Sequence, residues 1–319
     1  MTRPTRYGGA WPVLLTPFDE DGAIDGAAYE AMLGWYLERG VGGLFAVCAS
    51  SEMFQLTPAE RLRLARAAVR VAGGRVPVVA TGAFGEDTAA HVESVQRMAE
   101  TGVDAVVLLL PPFAPGEVEL ERYFDAVLNG TDCRLGVYEC PVPAPRSLPP
   151  ALTARLAQTG RFVCFKETSC HLPTLAAQCA AAAGTPMAVL QANAPYLLEA
   201  RRLGCPGSMC IVADVVPELV RDVLALPDDL AAGPLRRLCA VEAVRRVSHP
   251  AAAKFLLAER GLRIRLTSRK PGATLSAEVR VMLREAWRFL RDGVPEPGGD
   301  AAPALAPAAV APAVPAVAG

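Results

Sequence analysis

The sequence predicts an α/β chain folded as a (β/α)8 barrel with a C-terminal helical appendage. Three observations carry that prediction. Short apolar or β-branched runs alternate with segments of helical spacing along most of the 319 residues. Eight such runs precede the point near Asp214 where the pattern turns purely helical. The turn after the first run, Thr16-Pro17-Phe18-Asp19, lacks the glycine fingerprint that opens a doubly wound sheet. Strands each followed by a helix are parallel and covered by those helices, and eight of them close a barrel of about 250 residues.

In order, the expected strands are residues 11–15, 44–47, 76–80, 105–110, 135–138, 162–166, 187–190 and 207–211. Helical spacing between them is visible in Tyr29, Met32, Leu33, Tyr36 and Leu37, and in Leu62, Leu64, Ala65, Ala68 and Val69. Thr57-Pro58-Ala59-Glu60 reads as a capping box with proline at the first helical position. Asp87 before Thr88, and Ser147 before Pro149-Pro150, offer further caps. Beyond Asp214, helices are expected over 235–247, 251–261 and 275–290. The division that follows is a barrel over 1–226, a helical appendage over 227–293 and a tail over 294–319. That tail is almost entirely Ala, Pro, Val and Gly, a composition that cannot form a core and predicts disorder.

Composition narrows the function. At 52% hydrophobic the chain has ample material for a core. With 32 basic and 33 acidic side chains, a net charge of -1 offers neither nucleic acid nor an anionic membrane an electrostatic footing. No apolar stretch has the length and purity of a membrane span, and the opening residues run straight into a strand without an apolar signal region. The expectation is a soluble, cytoplasmic protein. Nine cysteines without a C-x-x-C pair, and three scattered histidines, argue against a disulfide framework, a structural metal or a metal cofactor.

Chemistry in such a barrel gathers where strands end. Lys166 ends the apolar run Phe162-Val163-Cys164-Phe165. Apolar surroundings disfavour the ammonium and lower the pKa, freeing the amine to attack a carbonyl. The bland alternative is a lysine that leaves the strand and reaches water. Tyr138 ends the preceding strand, and a phenol beside an amine can shuttle protons as a Schiff base forms. Its bland alternative is an aromatic that fills the barrel.

Five segments, in order and at this spacing, then point to a family. They are Pro12-Val13-Leu14-Leu15-Thr16-Pro17-Phe18; the segment ending in Glu52 before Leu56-Thr57-Pro58-Ala59-Glu60-Arg61; Tyr138 with Pro141; Phe165-Lys166-Glu167; and Gly204-Cys205-Pro206-Gly207. From about residue 8 to about residue 290 the chain resembles the dihydrodipicolinate synthase / N-acetylneuraminate lyase family of class I (Schiff-base) aldolases. The resemblance implies that Lys166 condenses with pyruvate or another 2-oxo acid and that Tyr138 relays protons. It implies that Ser50, with the backbone of Ala49 and Ser51, holds the substrate carboxylate, with Asn193 and Met209 completing the substrate site. It also implies a homotetramer or homodimer and no organic cofactor.

The departures are as informative. Cys48-Ala49-Ser50-Ser51-Glu52 stands where the family shows Gly-Thr-Thr-Gly-Glu, so Ala49 lacks the hydroxyl that passes protons on from the tyrosine. Phe113 stands for a second tyrosine, Glu139 for an asparagine, and Arg146 is displaced from the usual place of an arginine that admits a carboxylated aldehyde. The expected activity is therefore a lyase or aldolase acting on a 2-oxo acid, other than dihydrodipicolinate synthesis. A dehydratase using the same imine, and a weakened barrel that only binds the 2-oxo acid, are the alternatives. Glu52 is read as a structural residue turned inward, Cys140 and Cys164 as packed thiols, His171 as a surface residue, and Asn193 as a possible cap of the following helix.

Overall fold

The structure, a computed structural model, describes residues 6–245 and 248–291. The tail expected over 294–319 and the last two residues of the expected appendage lie outside those residues. Eight strands alternate with helices: β1 (Gly9–Ala10), α1 (Gly26–Glu38), β2 (Leu44–Ala46), α2 (Pro58–Ala72), β3 (Val78–Thr81), α3 (Thr88–Ala99), β4 (Ala105–Leu109), α4 (Glu117–Gly130), β5 (Leu135–Tyr138), α5 (Pro150–Gln158), β6 (Phe162–Glu167), α6 (Leu172–Ala182), β7 (Ala188–Gln191), α7 (Leu197–Arg202), β8 (Gly207–Ser208) and α8 (Pro217–Ala225). Three further helices follow: α9 (Asp228–Arg245), α10 (Ala251–Glu259) and α11 (Ala277–Arg291).

All pairings are parallel, in the order β1-β8-β7-β6-β5-β4-β3-β2. The two ends of that order meet where Val13 bridges Phe45, so the sheet closes into a (β/α)8 barrel. Strands buried along their whole length, such as Ala105–Leu109 and Phe162–Glu167, explain why their sequences read as continuous apolar runs rather than alternations.

The first strand corrects the sequence reading. Its ladder with β8 lies at Gly9–Ala10, ahead of the expected 11–15, and only Val13 within that run pairs, with β2. The cause is close backbone approach: a Cβ on Gly207 would stand 2.4 Å from the Gly9 carbonyl oxygen, so the ladder forms where side chains are missing. The last strand is likewise cut short at Ser208, because Ile211–Asp214 turns into a 3-10 helix. α9 starts at Asp228, before the expected residue 235, and carries Pro234 within it.

Local signals account for several helix starts. Thr57 and Glu60 exchange both capping-box bonds ahead of α2, and Asp87 accepts from the Ala90 N–H ahead of α3. Ser147 does not cap α5; Pro149 occupies that position and makes no side-chain capping bond. Proline restrains the backbone there without needing a hydroxyl. Among the described residues no helix is long and apolar enough to cross a membrane.

Candidate active site

Tyr138 and Lys166 are register partners on the adjacent parallel strands β5 and β6, which puts their side chains on one face. The Lys166 ammonium nitrogen lies 4.4 Å from the centre of the Tyr138 ring and 5.4 Å from that of Phe45. Lys166 is only 5% exposed, and among the described residues no carboxylate pairs with it. Burial lowers its pKa from the usual 10.5; nearby groups that favour the charged form, Cys48 first among them, oppose the shift. Tyr138 is held well above its usual pKa, again by burial, with the Cys140 thiol nearby adding to the shift. The arrangement is an amine biased towards its neutral, nucleophilic form beside a phenol that keeps its proton.

The loop after β2 supplies the second part of the site. It is bracketed by two non-glycine residues in the left-handed region, Val47 at φ 52° and Glu52 at φ 59°. Such conformations cost about 1–3 kcal/mol each and persist only where the surroundings over-determine them. Those surroundings are visible. Ser51 donates its hydroxyl proton to the Leu14 carbonyl at 2.5 Å and accepts from the Cys48 N–H at 3.0 Å, while Thr16 donates to the Ser51 carbonyl at 2.7 Å. Ser51 therefore pins the loop to the segment that follows β1. Ser50 is also buried, and its hydroxyl lies 2.9 Å from Nε2 of His249 in the C-terminal segment.

Glu52 is the hub of this region. Its carboxylate pairs with the Lys254 ammonium at 2.8 Å and accepts from the Ser268 hydroxyl at 2.8 Å. It also accepts from the backbone N–H groups of Arg269, at 2.6 Å, and Lys270, at 2.9 Å. One buried carboxylate thus ties the loop after β2 to α10 and to the segment before α11.

A model of the dihydrodipicolinate synthetase family matches residues 6–288. The chain belongs to this family. It is 27% identical over 295 residues to 4-hydroxy-tetrahydrodipicolinate synthase of Gluconacetobacter diazotrophicus, covering 88% of this chain and 96% of that one. Its fold matches dihydrodipicolinate synthase DapA-2 from Bacillus anthracis with a TM-score of 0.83 at 24% identity, over 91% of this chain and 99% of that one. It matches YagE from E. coli K12, a member of the same family solved in complex with pyruvate, with a TM-score of 0.82 at 24% identity, over 89% and 99% of the two chains.

Ala49 opens the 3-10 turn of the loop and is half-buried. Met209 follows β8, is buried, and donates its N–H to the Gln191 carbonyl at 3.0 Å. Asn193 makes no side-chain capping bond to the turn that follows it; its N–H donates to Gln191 Oε1 at 2.6 Å, and it lines a cleft of about 300 Å³ with Cys170, Tyr196, Cys239 and Glu242. Phe113 packs edge-on against His91 and Tyr123. Arg146 donates to the carbonyls of Pro111, Ala114 and Pro115, fastening the β4–α4 connection.

Glu139 joins two loops of the same rim, accepting from the Leu148 N–H at 2.8 Å and the Thr168 N–H at 3.1 Å. Burial, aided by Glu167 nearby, pushes its carboxyl up to about 7. Cys164 is buried and pushed up to about 12, an unreactive thiol. His171 is exposed, with Nδ1 2.9 Å from the Thr174 hydroxyl. Sequence reasoning did not find His249 or Lys254. Each stands about 200 residues from its partner in the loop, and neither carries a local pattern that announces it.

Proposed function

We propose that this protein is a lyase that makes or cleaves a C–C bond through a Schiff base between Lys166 and pyruvate or a related 2-oxo acid. The buried Lys166 amine beside the Tyr138 phenol, with no carboxylate paired to it among the described residues, is the observation that carries the reading. The neutral amine attacks the ketone carbon, and the carbonyl oxygen leaves as water as Tyr138 delivers a proton. The resulting iminium draws electrons from the adjacent carbon. Loss of a proton there gives an enamine that adds to an aldehyde; the reverse sequence cleaves the same bond. The substrate carboxylate sits on the Ser50 hydroxyl and the backbone N–H groups of Ala49 and Ser50, with Asn193 and Met209 further along the rim. Ser51 stands beside them, its own N–H donated to the Cys48 carbonyl at 3.0 Å. The imine is its own electron sink, so the reaction calls for no metal or organic cofactor. A relative solved with pyruvate supports the substrate class. The same reading carries a cytoplasmic homotetramer or homodimer.

Dihydrodipicolinate synthesis is not the reaction we propose. Ala49 offers no hydroxyl to extend the relay from Tyr138, Phe113 offers none from the next loop, and the Arg146 guanidinium is spent on three backbone carbonyls. The test is to incubate the protein with pyruvate and a panel of longer 2-oxo acids, reduce with borohydride, and map adducts by mass spectrometry. An adduct on Lys166, absent in Lys166→Ala, is expected, and the acid that labels most fully narrows the substrate. Folded protein with no adduct would sink the lyase reading in favour of a barrel that only binds a 2-oxo acid.

A further inference from the structure

The structure assigns His249 a role that neither the strand-end chemistry nor the barrel architecture supplies: we infer that it is the positioning residue that turns the Ser50 hydroxyl towards the substrate carboxylate. The inference rests on the proposed 2-oxo-acid reading and goes one residue beyond it.

A serine hydroxyl has a single proton to donate. His249 Nε2 lies 2.9 Å from Ser50 Oγ, so one of the two must be the donor. If the hydroxyl donated to the imidazole, Ser50 would turn only lone pairs towards an arriving anion. If Nε2–H donates to Ser50 Oγ, the hydroxyl proton is free to point at the anion. A carboxylate therefore selects the second arrangement, and the N–H···O–H···carboxylate chain is polarised in one direction. A hydrophobic side chain at position 249 would leave the hydroxyl orientation unset and remove the donor behind it.

His249 is also held where such a role requires it. Its carbonyl accepts from the Lys270 ammonium at 3.2 Å, and the neighbouring Ser248 hydroxyl donates to the Thr274 carbonyl at 2.5 Å. The Lys270 N–H is in turn bound to Glu52, two residues from Ser50. The links form a closed circuit, from Ser50 to His249, on to Lys270 and Glu52, and back to the loop. Side chains whose backbone is fixed from both ends lose little freedom when they engage a ligand. The C-terminal segment thereby becomes part of the substrate site.

The experiment compares capture of pyruvate with capture of acetone, which offers the same ketone with a methyl group in place of the carboxylate. Each is trapped on Lys166 with cyanoborohydride, and the concentration giving half-maximal labelling is measured. His249→Leu is expected to raise that concentration about 10-fold for pyruvate and to leave acetone capture within about 2-fold, the size of one hydrogen bond to a charged group. His249→Gln, which can keep an N–H near the Nε2 position, is expected to recover pyruvate capture to within about 3-fold of the parent. In Ser50→Ala the further change His249→Leu is expected to add nothing.

Equal losses for pyruvate and acetone in His249→Leu would overturn the inference and leave His249 a packing residue. So would an undiminished effect of His249→Leu in the Ser50→Ala background. A parent protein that labels with neither carbonyl would fail the Schiff-base reading itself, and this inference with it. A parent that labels while His249→Leu matches it on pyruvate would fail the inference alone.

Discussion

Two buried lysines make the most instructive comparison in this molecule. Lys166 and Lys254 are 5% and 0% exposed, and burial lowers the pKa of both. Their company differs. Lys254 donates to Glu52 at 2.8 Å and to the Thr267 carbonyl at 2.6 Å, and Glu52 pulls its pKa back towards the charged form. Lys166 has two aromatic faces and thiols, with no carboxylate in contact among the described residues. The same side chain at similar depth is an ion-paired cation in one place and, in the function we propose, the nucleophile in the other. Burial lowers both pKa values, and what separates the two sites is a carboxylate in direct contact with Lys254 and none in contact with Lys166 among the described residues.

The comparison is broken most sharply at Lys166. Lys166→Met should abolish borohydride trapping and lower turnover by about 10⁴-fold, on the order of 5 kcal/mol of barrier. Thermal unfolding should show no loss of stability, since no ion pair is broken. Because the folded protein binds fewer protons at this site than the unfolded chain up to the usual 10.5, wild-type stability from this group rises with pH. Any advantage of Lys166→Met should therefore shrink as pH approaches that value in chemical denaturation. Lys254→Met should do the reverse, costing about 3–5 kcal/mol of stability by stranding the Glu52 carboxylate in a buried site. The double change Glu52→Gln with Lys254→Met should recover part of that loss, and an equal loss in both would refute the ion-pair account.

Smaller effects sharpen the picture. Tyr138→Phe keeps the ring against Lys166 and removes only the proton. Labelling of Lys166 at long times should persist, with its rate reduced about 100-fold, as for loss of a general acid. Glu139 extends the comparison to a buried carboxyl held without a cation. Its pKa, raised to about 7 from 4.5, means that the folded state holds a proton the unfolded chain releases in that window. Stability from this group is then present at low pH and falls as pH rises from about 4.5 to about 7. Glu139→Gln should flatten that slope by about 1–3 kcal/mol across the window, and an unchanged slope would refute the assignment.

The fold and the centre of the site were legible because their signals are local. A lone lysine at the end of Phe162–Glu167 and a tyrosine at the end of Leu135–Tyr138 can be read from a few residues each, and the strand pairing brings them together. The inward structural role read for Glu52 also needed only its place in the loop; its partners did not follow from that. Lys254 and His249 join residues separated in the chain by 202 and 199 positions, and neither a helix period nor a strand alternation encodes such a meeting. The first strand was misread for a related reason. Hydrophobic pattern favoured 11–15, whereas pairing was decided by glycines that pattern analysis treats as blanks. Ser147 had the right chemistry for a cap, but Pro149 came between it and the helix.

The glycine contact between Gly9 and Gly207 sets an order of events during synthesis. The ribosome releases the first of these residues roughly 200 positions before the second, about 10–40 s at ordinary elongation rates. Through that interval β1 lacks its β8 partner, and the strand made last, β7 only at the end, presents an open edge of the kind that recruits foreign strands. Release from the ribosome before residue 207 would leave a sheet without β8, which cannot become a barrel.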